Sequence, residues 1–153
     1  MFSICPIVPL IFASPSLICL RRQIEHTADV GIEITSETFQ EALSEACLAL
    51  TEVITGGNLV EPSSEFNFTV SYSDTSRLLV DILNELIIIF DSKNFLSGQV
   101  NVTLSNSEAA ISLLGDFYSH KKHGYGVEVK AISYHNLKVV VGPPSHIVFI
   151  LDL

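Results

Sequence analysis

Apolar and polar side chains alternate along several stretches of the chain, and each alternation predicts a β-strand. The first stretch covers residues 28–35 and the second covers residues 65–72. A third covers residues 100–104, and a turn at 106–107 then leads into a returning strand over 109–114. Because successive side chains of a strand point to opposite faces, each of these strands is expected to place one face on a core.

Two other segments repeat their apolar residues at the spacing of an α-helix. The first begins at Thr38, a suitable N-cap residue with Glu41 three positions later, and it ends at Gly56. The second begins at Asp74 and runs to about Asp91. Each helix has one continuous apolar face, so both are expected to pack on a sheet.

The C-terminal third predicts further strands. Residues 119–126 have the composition of a polar loop. Two strands are predicted after it, over 127–134 and 137–141, and a tight turn at 135–136 joins them. The last strand, 147–151, is apolar at every position, as strands buried on both faces are. Strands outnumber helices and do not alternate regularly with them. The sequence therefore predicts a single α+β domain, with two helices packed on a mostly antiparallel or mixed β-sheet.

Residues 1–22 do not fit this domain pattern. They form an apolar stretch that ends in Arg21 and Arg22, but three prolines interrupt it. A secretory signal requires basic residues before its apolar run, and this chain has none there. A membrane anchor and a mis-assigned translation start both remain as interpretations, and no membrane role is favoured. We expect residues 23–153 to form the folded domain, in the cytoplasm.

The charge of the chain limits its partners. It has 17 acidic residues against 8 lysines and arginines, a formal net charge of −9. Because proteins bind a phosphate backbone through cationic side chains, we expect little direct nucleic-acid binding. Hard cations or basic protein surfaces fit better. The three cysteines form no CxxC motif and are expected to be reduced thiols.

Few residues in the sequence indicate chemistry of their own. It contains no phosphate-binding loop, nucleophile elbow, HExxH motif or dinucleotide fingerprint. His120 and His123 have HxxH spacing, but the two lysines between them would repel a metal ion. We therefore interpret this tract as a solvated loop.

Two acidic residues stand out by their position. Asp29 lies in the first predicted strand, and Asp152 directly follows the apolar last strand. Together with the carbonyl or terminal carboxylate of Leu153, they offer the oxygen ligands that Ca²⁺ or Mg²⁺ prefers. The alternative is that Asp152 belongs to a frayed, solvated terminus and Asp29 is a turn or capping residue.

Four motifs occur in an order that resembles the archease family. They are residues 25–31 (EHTADVG), 81–86 (DILNEL) with Phe90, 126–135 (GVEVKAISYH) and the terminal Asp152-Leu153. The resemblance covers residues 25–153. The apolar segment at the N-terminus has no counterpart in it.

The resemblance implies a function and a site. Archease proteins are non-catalytic accessory proteins that support a GTP-dependent RNA ligase in tRNA splicing or RNA repair, promoting its guanylylation and repeated turnover. A divalent-ion site, for Ca²⁺ or Mg²⁺, carries over to Asp29, Asp152 and Leu153. For Glu128 and Lys130, a salt-bridged strand pair and a contact with the partner both remain open.

Two other functions stay as alternatives. One is a chaperone or specificity partner of an RNA methyltransferase, and the other is a metal-dependent hydrolase. The oligomeric state and the RNAs served are left open by the sequence.

Overall fold

A computed structural model describes residues 19–26 and 29–153 of the chain. In chain order the elements are β1 (Leu20–His26), β2 (Asp29–Ser36), α1 (Phe39–Thr55), β3 (Ser64–Ser71), α2 (Thr75–Lys93), β4 (Phe95–Leu104), β5 (Glu108–Phe117), α3 (His120–His123), β6 (Ala131–Val140) and β7 (Ser145–Asp152).

The strands form two separate sheets with a layer of helices between them. One sheet has the order β1-β2-β7-β6 and the other β3-β5-β4, and every described pairing is antiparallel. Helix α1 packs on β2 and β7 of the first sheet and on β4 of the second, while α2 contacts β6, β3 and β4. The predicted α+β class and single domain are confirmed, and the strands are divided between two sheets.

The predicted capping residues of the two long helices are confirmed. The Thr38 hydroxyl accepts a hydrogen bond from the N–H of Glu41 at 3.1 Å, and Gly56 closes α1 with a left-handed φ of 71°. Asp74 caps α2 through the N–H groups that follow it. This helix continues to Lys93, two residues beyond the predicted end, and Asn94 closes it in the left-handed conformation.

The core lies between the two sheets and is built from the apolar faces of α1 and α2. Fully buried apolar side chains from both helices and both sheets meet there, and burial of this kind is the main stabilising term in folding. Its largest members are Phe149, Ile32, Ile34, Leu43, Leu50, Leu78, Leu79, Ile82, Leu83, Leu96, Ile111 and Leu113.

The folded domain begins earlier than predicted. Strand β1 starts at Leu20 and pairs with β2, so the predicted boundary between residues 22 and 23 falls inside a strand. The side chain of Arg21 is buried against α1, where it forms ion pairs with Glu45 and Glu52. Residues 1–18 lie outside the described part of the chain. Of the helices that are described, none has the length and apolar character needed to cross a membrane.

The C-terminal third differs from prediction in two places. Residues 120–123 form a short helix where a loop was predicted, and 124–130 lack regular structure where a strand was predicted to begin. Strand β6 runs through the predicted turn at 135–136. There the pairing with β7 shifts between Ser133 and Lys138, and Asn136 takes a positive φ of 56°. The turn-forming residues are therefore accommodated as an irregularity within one strand.

Candidate cation site at the end of the four-stranded sheet

Two carboxylates face each other where β2 begins and β7 ends. Asp29 and Asp152 are direct partners in the antiparallel register of these strands, although 123 residues separate them along the chain. Residues directly opposite each other in such a pair lie on the same face, with Cβ atoms about 4.5–5.5 Å apart. Both side chains are half-buried. The fold therefore brings together the two acidic residues that the sequence singled out.

Both carboxylates lie on the face of the sheet that points away from the helices. In β2, Ile32 and Ile34 are buried against α1, and Asp29 has the opposite parity. In β7, Phe149 and Leu151 are buried in the core, and Asp152 again has the opposite parity. Since side chains alternate between faces, the two acids lie on the outer face.

The main chain at the C-terminus is held in the sheet. Asp152 pairs with Ala131 of β6 on its other side, and its carbonyl accepts a hydrogen bond from the N–H of Lys130 at 2.8 Å. Leu153 is half-buried and packs against the core. The alternative of a frayed terminus is therefore wrong for Asp152, which is the last residue of a paired strand. Its carbonyl accepts that hydrogen bond, and the main-chain oxygen of Leu153 follows it as a further oxygen donor.

The arrangement fits a hard cation. Carboxylates directly opposite each other on a sheet repel, and a divalent ion between them would replace that repulsion by attraction. The side chains of Asp29 and Asp152 and the main-chain oxygen of Leu153 supply only oxygen donors, the class that Ca²⁺ and Mg²⁺ prefer. No cluster of three or more metal-binding side chains occurs in the described residues, so the remaining ligands would be main-chain oxygens or water.

A second charged group lies on the same outer face, and no sequence pattern predicts it. The carboxylate of Glu33 accepts a hydrogen bond from Arg22 at 2.6 Å and lies 3.0 Å from Nε2 of His146. The hydrogen bond with His146 is the main cause that holds the pKa of Glu33 below its usual value, and Arg22 lowers this pKa further. Burial opposes both effects. Strands β1, β2 and β7 are thereby linked across their solvent side.

The HxxH tract is not the solvated loop that was predicted. His123 is buried, its Nδ1 accepts a hydrogen bond from the N–H of Ser119 at 3.0 Å, and its ring stacks on Tyr118. The ring of His120 instead lies 6.4 Å from that of Tyr125 on the surface. The two imidazoles therefore have different partners. Glu128 and Lys130 are exposed and precede β6, so they do not form a strand pair.

The domain that carries this site matches a known family along almost its whole length. The model of the Archease protein family (MTH1598/TM1083) matches residues 22–153. The chain belongs to the archease family. An archease of Pyrobaculum neutrophilum is 33% identical over 135 residues, which is 84% of this chain and 92% of the relative. An archease of Pyrococcus furiosus is 34% identical over 119 residues, 75% of this chain and 84% of the relative.

Two solved archease structures share the fold. The solution structure of Methanobacterium thermoautotrophicum protein 1598 has a TM-score of 0.72 and 27% identity, covering 86% of this chain and 96% of that protein. The crystal structure from Thermotoga maritima, described as an archease and possible chaperone, has a TM-score of 0.63 and 25% identity. It covers 85% of this chain and 94% of the Thermotoga protein. The resemblance drawn from the four sequence motifs is confirmed at the level of the family.

Proposed function

We propose that this protein is a non-catalytic accessory protein that activates a GTP-dependent RNA ligase in tRNA splicing or RNA repair. Its action would be to promote guanylylation of the ligase and repeated turnover. The observation that carries the proposal is the direct pairing of Asp29 with Asp152 on the outer face of the sheet. Membership of the archease family supports it, since ligase activation is the role that the resemblance to this family implies.

The paired carboxylates suit an accessory role because of where they lie. Asp29 and Asp152 stand at the end of a rigid sheet, with Leu153 anchored beside them. Because both side chains are only half-buried, the end of these two strands remains open to contact by another protein. A divalent ion held there would supply positive charge that neutralises phosphate oxygens during nucleotidyl transfer. In this proposal the protein binds the ion and positions it at the active site of the ligase.

The overall charge favours a protein partner over a long stretch of RNA. A formal charge of −9 attracts basic protein surfaces, and an enzyme that binds RNA and GTP must present such surfaces. We accordingly propose that the ligase is bound by protein–protein contact, in the cytoplasm.

The test is guanylylation of the cognate ligase. Labelled GTP and divalent ion are supplied to the ligase with and without substoichiometric amounts of this protein. We expect the protein to raise label incorporation and to convert a single round of ligation into many rounds. Asp29→Ala and Asp152→Ala should keep the fold, as judged by circular dichroism, and lose most of the stimulation.

The control is Glu65→Ala. Glu65 is an exposed acid on the three-stranded sheet, so this change removes the same charge from a different surface. Its variant should stimulate as the wild type does. The protein alone should neither hydrolyse GTP nor join RNA, and hydrolysis would favour the metal-dependent hydrolase instead.

A chaperone or specificity partner of an RNA methyltransferase is the second candidate. The description of the Thermotoga maritima relative as a possible chaperone favours it. Equal label incorporation with and without the protein would refute ligase activation, and the methyltransferase would then be tested in its place.

A further inference from the structure

One segment of the chain departs from its acidic character. Residues 119–130 contain three lysines and one acid, a formal charge of +2, which leaves −11 on the rest of a chain whose net charge is −9. The segment also contains His120, His123 and Tyr125. We refer to residues 119–126, which include α3, as the basic turn.

Side chains on the buried side of the basic turn hold it against the rest of the domain. His123 is 1% exposed, and its ring nitrogen accepts the hydrogen bond from Ser119 described above. The hydroxyl of Tyr118 donates to the carbonyl of Gly124 at 2.8 Å, and the Tyr118 ring packs edge-on against Phe90 of α2. The interior of the turn is therefore fixed to the end of α2.

A second set of contacts ties the turn to the end of α1. The N–H of Gly126 donates to the carbonyl of Ile54 at 3.0 Å, and the N–H of Val127 donates to that of Val53 at 3.3 Å. A Cβ at Gly126 would overlap the Val53 carbonyl, so this close approach requires glycine. Side chains that point outward from the turn are thus presented on a preorganised backbone, which lowers the entropic cost of binding.

The outward side chains are aromatic and cationic. Tyr125 is 76% exposed, and its ring lies 6.4 Å from the exposed ring of His120. Lys122 is partly neutralised by Asp116 at 3.3 Å. Lys121 is exposed and makes no ion pair with any residue in the part of the chain that the structure describes. Exposed aromatic rings together with cationic side chains are the usual platform for single-stranded nucleic acids, since bases stack on the rings and phosphates contact the cations. Here the Tyr125 ring lies near His120, and Lys121 is the residue that follows His120 in the chain.

We propose that the basic turn binds a short single-stranded RNA segment, with a base stacked on Tyr125 and a phosphate at Lys121. That the strand is RNA rests on the proposed function. The contact covers only a few nucleotides, because the acidic remainder of the chain repels a longer strand.

A short stretch of chain connects the basic turn to Lys130, which contacts Asp152 in space. Tyr125 and Lys130 are five residues apart, a span of at most about 17 Å, and the N–H of Lys130 donates to the carbonyl of Asp152. An RNA end held on Tyr125 therefore lies within reach of the carboxylate pair. The same end of the molecule would then present both the ion site and the RNA to the ligase.

The test uses the protein alone with a fluorescein-labelled RNA hexamer, followed by fluorescence anisotropy at low salt. We expect weak, salt-sensitive binding. Tyr125→Ala should weaken it at least roughly fivefold, the lower end of the loss for one base–aromatic stack. Lys121→Gln should weaken it and reduce the slope of log K against log salt by about 0.7, the value for one phosphate contact to a single strand.

The controls change the same residue types elsewhere. Tyr134→Ala removes a tyrosine that is 62% exposed, and Lys138→Gln removes an exposed lysine on β6. Both should bind as the wild type does. No binding by the wild type at low salt, or an equal loss in the control variants, would overturn the proposal.

Because this assay contains no ligase, it tests the RNA contact independently of the proposed ligase activation. RNA binding that depends on Tyr125, without any stimulation of the ligase, would leave the RNA contact standing and refute the proposed function. Stimulation that is lost in Tyr125→Ala, in a protein that binds no RNA, would show that the turn contacts the ligase and would overturn the RNA contact.

Discussion

The ion pairs of Arg21 connect β1 to α1, and their removal should lower the free energy of unfolding substantially. The Arg21 side chain is 6% exposed and contacts Glu45 at 2.5 Å and Glu52 at 2.9 Å. Arg21→Ala would leave two carboxylates of α1 close together without their cation. Burial already raises the pKa of Glu45, an effect that the charge of Arg21 opposes.

The size of the effect follows from the exposure of the partners. Removing one member of a fully buried ion pair costs about 3–5 kcal/mol. The side chains of Glu45 and Glu52 are 20% and 29% exposed, so both are able to regain part of their hydration. We therefore expect a loss of about 2–3 kcal/mol, below the fully buried range. For a domain of this size that corresponds to a fall in Tm of about 4–12 °C.

The assay is thermal unfolding followed by circular dichroism, with Arg22→Ala as the matched control. Arg22 is the neighbouring arginine, but its side chain is 47% exposed, so its pair with Glu33 should contribute about 1 kcal/mol or less. A chain that begins at Gln23 lacks Arg21 and should be less stable than one that begins at Cys19. Equal losses in the two arginine variants would refute the buried role of Arg21.

The pH dependence provides a second measurement on the same variant. Without Arg21 the pKa of Glu45 should rise further above its usual value of 4.5. A carboxyl group whose pKa is raised by folding lowers stability above its folded pKa, and the penalty disappears as the pH falls through that value. The deficit of Arg21→Ala should therefore shrink between pH 7 and about pH 4. A deficit that is constant with pH would indicate lost packing alone.

Three further predictions concern single side chains. Folding lowers the pKa of Glu33, through its hydrogen bond with His146 above all, so its contribution to stability is present above the usual value of 4.5 and is lost as the pH falls through the folded value. Glu33→Gln should therefore lower Tm at pH 7, and the difference from the wild type should shrink in thermal scans as the pH falls below 4.5. Burial raises the pKa of the Cys47 thiol to about 12, so iodoacetamide should label it only after denaturation, as read by peptide mass spectrometry. A Cβ at Gly115 would overlap the carbonyl oxygen of Leu96, so Gly115→Ala should lower Tm in calorimetry, and an unchanged Tm would contradict that packing.

The sequence predicted those parts of the fold that depend on local signals. Helix α1 is defined by a cap at Thr38, an apolar face and a glycine at its end, all within one segment. Strand β1 has no such signal, because the burial of Arg21 depends on Glu45 and Glu52, which lie 24 and 31 residues away. An arginine in a strand therefore appears exposed until its partners are located.

The C-terminal errors have a similar origin. His123 appears to be a loop residue in the sequence, but the N–H of Ser119 and the ring of Tyr118 satisfy its side chain in a buried position. The residues at 135–136 have the composition of a turn, yet the pairing of β6 with β7 continues on both sides of them. In both cases tertiary contacts determined the outcome, and local propensity does not report them.

The candidate site could be predicted only in part. Asp29 and Asp152 were recognised from their positions beside apolar strands, and the archease resemblance linked them. Spacing along the chain gave no indication that they are direct neighbours, because only the register of β2 on β7 establishes that. The pair of Glu33 with His146 was missed for the same reason.

The most direct test of the account is calorimetric titration of Ca²⁺ and Mg²⁺ into the purified protein. We predict one divalent ion bound per chain, a sharp loss of affinity in Asp29→Asn and in Asp152→Asn, and weaker binding when Leu153 is deleted. Glu65→Gln, which removes a distant exposed carboxylate, should bind the ion as the wild type does. Wild-type affinity in all three site variants would contradict the account, because the paired carboxylates would then hold no ion.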